Sequence, residues 1–89
     1  MPTVHLLIKG KVQGVFFRAT AKDIAKENGI TGWIKNTNEG DVEAMISGSQ
    51  EQVDMFIKWC RTGPGRAVVT EVIVTSREHQ PFAGFNIGR

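Results

Sequence analysis

A two-residue alternation opens the chain. Val4, Leu6 and Ile8 form one set of positions and His5, Leu7 and Lys9 the other, the period of a strand with one well-buried face. From Phe17 the period lengthens. Phe17, Ala21, Ile24 and Ala25 fall at i, i+4, i+7 and i+8, while Lys22, Asp23, Lys26 and Glu27 take the opposite side, so the spacing predicts an amphipathic helix starting near Arg18. Asn28 and Gly29 end it, because both tolerate the left-handed conformation that closes a helix. Thr31 to Thr37, with Trp33 and Ile34, reads as a second strand. Turn formers crowd Asn36 to Gly40, and alternation resumes over Asp41 to Ser47 with Val42, Ala44 and Ile46 inward, which makes the two strands a hairpin.

Gly48 breaks that strand, and Ser49 with Gln52 has the spacing of a capping box. Val53, Phe56, Ile57 and Cys60 then share the inner face of a second helix, flanked by Met55 and Trp59. Thr62 to Gly65 is a loop. Val68 to Arg77, rich in Val, Ile and Thr, makes a fourth strand, and the tail from Phe82 to Arg89, with Phe85 and Ile87 alternating, offers a short edge strand. The order βαββαβ is that of an α+β, ferredoxin-like sandwich, two helices on one face of an antiparallel sheet.

Composition narrows the setting. The 89 residues suit a single domain spanning 1–89, in which folding buries roughly 60 to 65% of the unfolded surface. No apolar run approaches the roughly 20 residues of a membrane span, and the N-terminus lacks a charged region followed by an apolar one, so a cytoplasmic protein without a membrane partner is expected. Cys60 is the lone cysteine, which excludes an internal disulfide and a cysteine-type metal site and fits a reducing compartment. A net charge of +2 is too mild to point to nucleic acid, yet it favours a small anionic substrate.

The candidate chemistry sits between the first strand and the first helix. Gly10-Lys11-Val12-Gln13-Gly14-Val15-Phe16-Phe17-Arg18 is a βα connection with glycine at Gly10 and Gly14. Such a loop can turn its N–H groups towards one point, and the helix N-terminus adds partial positive charge, so it reads as an anion cradle. Arg18 adds a full charge and a planar fork of donors suited to phosphate. The fold brings in a second segment. The first and second strands run the same way with the third between them, which puts Asn36 at the edge of the sheet that the cradle leaves from.

Two motifs then carry a resemblance to acylphosphatases. Gly10 to Arg18 resembles that family's signature G-x-V-Q-G-V-x-F-R, and Gly32-Trp33-Ile34-Lys35-Asn36 with Gly40-Asp41-Val42-Glu43 resembles its second, G-W-V-x-N followed by D-G-x-V-E. Gly63-Pro64, Ala67, Val69, Phe85 and Ile87 extend the likeness along essentially the whole chain. Ile34 replaces the usual valine, and Glu39 stands where aspartate usually precedes the glycine.

The resemblance implies a metal-independent hydrolase without cofactor that cleaves small acyl phosphates to a carboxylate and inorganic phosphate. It implies that the backbone amides of Gln13, Gly14, Val15, Phe16, Phe17 and Arg18, with the Arg18 guanidinium, bind the phosphoryl group, and that Asn36 positions the attacking water. The chemistry agrees: a carboxylate, with a conjugate acid of pKa about 4 to 5, departs without a protein general acid. What remains is orientation and charge stabilisation.

Other residues read as structural. His5 and His79 read as structural or solvent residues, Cys60 as core filling, and Lys9 and Lys11 as solvated charges. Two other function classes stay in view. An RNA-binding module of this fold would present aromatics on its central strands, and Val4 to Lys9 and Asp41 to Ser47 carry none. A noncatalytic anion-binding or regulatory module would keep the cradle but would not require Asn36. A monomer is the expected state.

Overall fold

The computed structural model describes residues 1–88. Its elements are β1 (Thr3–Lys11), α1 (Phe17–Glu27), β2 (Thr31–Asn36), β3 (Val42–Ser47), α2 (Gln50–Thr62), β4 (Val68–Arg77) and β5 (Phe85–Ile87). They form one five-stranded sheet in the order β4-β1-β3-β2-β5, with α1 and α2 on one face. The alternation in β1 sorts as expected: Leu6 and Ile8 are fully buried under the helices, and His5 and Leu7 lie half-buried on the other face.

One layer of core joins helices and sheet. Leu6, Ile8, Ile34, Val42, Ala44 and Ile46 supply the sheet side; Phe17, Ala21, Ala25, Val53, Phe56 and Cys60 supply the helix side. Full burial of a side chain as large as Phe17 or Phe56 contributes about 2 to 3 kcal/mol. Phe17 packs against Trp59 with ring centroids 5.1 Å apart, which holds the first turn of α1 against the C-terminal part of α2. The capping box at Ser49 forms in full: the Ser49 hydroxyl accepts from the Gln52 N–H at 3.1 Å, and Gln52 Oε1 accepts from the Ser49 N–H at 2.8 Å. The Gln52 amide also donates to the Asn28 carbonyl at 2.7 Å, tying the start of α2 to the end of α1.

Two expectations need correction. The sheet is mixed rather than antiparallel, because β5 pairs parallel with β2 through Gly32–Phe85, Trp33–Asn86 and Ile34–Ile87. The expected tail strand shortens to Phe85–Ile87, and Arg89 lies outside the described residues. Secondly, Gly10 and Lys11 belong to β1 rather than to the loop. The ladder between β1 and β4 shifts register after Lys9, and Gly10 takes φ 128° at that bulge. A Cβ on Gly10 would collide with the Val68 carbonyl, so this glycine serves a close strand approach and not an anion. Among the described residues no helix is long and apolar enough to cross a membrane.

Candidate active site

The connection between β1 and α1 is thereby reduced to Val12 to Phe16, and its sequence explains its shape. Val12, Val15 and Phe17 are buried in the core, while Gly14 and Phe16 face outward. Three apolar anchors thus hold a short loop whose intervening backbone is free to curl. Gly14 at φ 72° and Phe16 at φ 63° both adopt the left-handed conformation. Glycine does so without penalty, whereas in a bulky residue such as Phe16 it costs about 1 to 2 kcal/mol. Phe16 immediately precedes α1 and caps it with no side-chain hydrogen bond. Among the described residues, no protein acceptor pairs with the backbone N–H groups from Gln13 to Arg18. Unpaired donors at the positive end of an eleven-residue helix are groups with which an anion can pair.

Arg18 lies on the first turn of α1, half-buried, and among the described residues no carboxylate stands within ion-pair distance of it. Its charge is therefore available to a ligand. Asn36 is the last residue of β2 and shares the helix-facing side with Ile34. Its Oδ1 is buried and, among the described residues, is the one such side-chain atom with no hydrogen-bond partner. Leaving a buried acceptor unpaired costs about 1 to 3 kcal/mol, which asks for a ligand or water that supplies the missing donor.

Arg18 and Asn36 line one cleft of about 280 Å³, with Val12, Gly14, Phe16 and Ile87. Parallel β1 and β2 bring the two segments together, since both strands finish at that edge of the sheet. The side chain of Gln13 locks them. Its amide donates to the carbonyls of Thr37 at 2.9 Å and Asp41 at 2.8 Å, on the turn that follows Asn36. That turn is itself closed by Thr37 N–H to the Asp41 carbonyl at 2.9 Å and by Asp41 N–H to the Thr37 hydroxyl at 3.1 Å. Sequence reasoning assigned Gln13 only a backbone amide and missed this bridge.

These features match a known pattern. The acylphosphatase family model matches residues 4–87 of the chain. The chain belongs to the acylphosphatase family. Among its relatives, the acylphosphatase of Haloquadratum walsbyi is 44% identical over 85 residues, covering 96% of this chain and 91% of that protein. That of Pyrobaculum arsenaticum is 44% identical over 89 residues, covering 98% and 94%. The crystal structure of acylphosphatase from Bacillus subtilis superposes with a TM-score of 0.96 at 29% identity over the whole of both chains. As an acylphosphatase this protein is a hydrolase of acyl phosphates, and the noncatalytic module is not favoured.

The remaining polar groups lie elsewhere. His5 and Glu43 pair at 2.7 Å on the helix-free face of the sheet, where the His5 hydrogen bond holds the Glu43 carboxyl below its ordinary value. Lys35 stands 3.7 Å from the same carboxylate and over the Trp33 ring. Burial pushes the Cys60 thiol far up, so it stays neutral in the core. No group of three or more His, Cys, Asp or Glu among the described residues could hold a metal ion.

Proposed function

We propose that the loop amides from Gln13 to Arg18 and the Arg18 guanidinium hold the phosphoryl group of a small acyl phosphate, and that Asn36 orients the attacking water. The single observation that carries this reading is the cleft shared by an unpaired arginine and a buried, unpartnered Asn36 Oδ1. Oδ1 accepts a hydrogen bond from water, which turns a lone pair of the water oxygen towards phosphorus. As the O–P bond forms, the bond from phosphorus to the carboxylate oxygen breaks, and the electron pair leaves with the carboxylate.

Charge on the equatorial phosphoryl oxygens is met by Arg18 and by loop amides that no protein acceptor occupies among the described residues, so little reorganisation accompanies the step. The leaving carboxylate needs no proton from the protein. Among the described residues no His, Asp or Glu lines the cleft, so the proton released by water passes to a phosphoryl oxygen of the substrate. The test is hydrolysis of benzoyl phosphate in the presence of a chelator, followed as release of inorganic phosphate. Turnover that is insensitive to the chelator is expected; folded protein with no turnover would overturn the proposal.

A further inference from the structure

Phe16 is out of place as a solvated residue. It is 79% exposed, and among the described residues it is the one non-glycine residue with positive φ. Glycine or asparagine would take that backbone conformation with less strain. Strain of this kind gathers where a ligand is clamped, and Phe16 lines the same cleft as Arg18 and Asn36. Ile87 lines it too and is 41% exposed, carried there by β5 through its pairing opposite Ile34.

We infer that Phe16 and Ile87 form the subsite for the acyl group, and that the preferred substrates carry an aromatic or branched aliphatic acyl chain. The inference rests on the proposed roles of the loop, Arg18 and Asn36. With the phosphoryl group on the loop amides, the acyl group occupies the rest of the cleft. Val12 and Phe17 are buried beneath it, and Phe16 and Ile87 are left as its exposed walls. Among the described residues Arg18 is the one charged residue in the lining, and it is engaged by the phosphoryl group. A second carboxylate on the acyl chain would find no second cation among the described lining residues, whereas a ring or branched chain would cover the two exposed apolar side chains. About 280 Å³ is at the small end of ligand clefts, which run from roughly 300 Å³ upward, so the acyl group is a small one.

The experiment compares kcat/KM for benzoyl phosphate and acetyl phosphate in the parent protein, Phe16→Asn and Ile87→Ala. Asparagine tolerates the left-handed backbone, so the substitution removes the ring while sparing the loop. The benzoyl-to-acetyl ratio is expected to fall about tenfold in Phe16→Asn and about threefold in Ile87→Ala. Calorimetry with the non-hydrolysable benzoylphosphonate and acetylphosphonate gives a second reading independent of turnover, and the preference for the benzoyl compound should shrink in the same order. A ratio and a binding preference that both stay within twofold of the parent would overturn the subsite, as would equal losses on both substrates. A parent that binds benzoylphosphonate preferentially without turning over benzoyl phosphate would instead retain the subsite and refute the hydrolytic roles.

Discussion

Gln13 donates its side-chain amide to the Asp41 carbonyl at 2.8 Å, and through that bond the loop from Val12 to Phe16 and the turn after Asn36 become one piece. The partner bond to the Thr37 carbonyl uses the second amide hydrogen. Arg18 and Asn36 therefore sit on segments whose relative position is set by a residue that touches neither of them in the hydrogen-bond pattern.

Removing that bridge should loosen the site more than the fold. Gln13→Ala removes one of two donors from each carbonyl, since Asp41 keeps the Thr37 N–H and Thr37 keeps the Gly40 N–H, and a loss of about 0.5 to 1.5 kcal/mol per bond in urea unfolding is expected. A misplacement of the order of 1 Å can cost about 10²-fold in rate, so kcat should fall by up to that factor. Steady-state kinetics beside the unfolding curve separates the two effects, and full activity in Gln13→Ala would show that the loop holds its shape unaided.

Arg18→Ala should lower kcat/KM for benzoyl phosphate on the order of 10³-fold or more, the scale on which arginines act in phosphoryl transfer. Its side chain has no carboxylate partner among the described residues, so thermal unfolding should hardly move. Arg18→Lys should restore little, because a point charge lacks the planar fork.

Asn36→Ala is expected to lower kcat on the order of 10²- to 10³-fold, as when one transition-state hydrogen-bonding group is removed. The same substitution deletes a buried acceptor with no protein partner, so stability should be unchanged or slightly raised. A rise in KM at constant kcat would make Asn36 a substrate-binding residue instead.

The two glycines of the first motif should separate cleanly. Gly10→Ala drives a methyl into the Val68 carbonyl and should cost 3 kcal/mol or more, read as unfolding or insolubility. Gly14 has open space around it, so Gly14→Ala carries only the strain of φ 72°, about 1 to 2 kcal/mol, and its larger effect should be on KM. Equal loss of stability in the two variants would contradict this division.

Acid should weaken the fold partly through Glu43. Its carboxyl is held below the ordinary value of 4.5 in the folded protein, first by the His5 hydrogen bond and, against the desolvation that raises it, by the nearby positive charge. A depressed carboxylate contributes stability that is fully present above about pH 4.5 and is lost as pH falls through the lower folded value. Urea unfolding between pH 6 and pH 3 should show this loss, and Glu43→Gln should flatten that part of the profile.

Much of this was legible in the chain. Both helices and their faces, the Ser49 cap, the hairpin and β4 follow from local periodicity and turn chemistry, which act between near neighbours. That Arg18 and Asn36 meet at one cleft was readable as well, since the strand order implied by those elements brings them to one edge. Glu39 at the hairpin tip changed nothing visible: the turn closes through Thr37 and Asp41.

What the sequence by itself determined was therefore which residues face the core and which two segments meet. Tertiary structure decided the rest. Gly10 left the cradle because β4 presses on it, and β5 pairs parallel along the edge of β2 that β3 leaves open, carrying Ile87 to the cleft. Gln13 became a bridge and the Asn36 Oδ1 stayed unpaired among the described residues for the same reason. Periodicity records the side on which a residue lies; a hydrogen-bond partner or a steric clash depends on atoms brought close only when distant strands have paired.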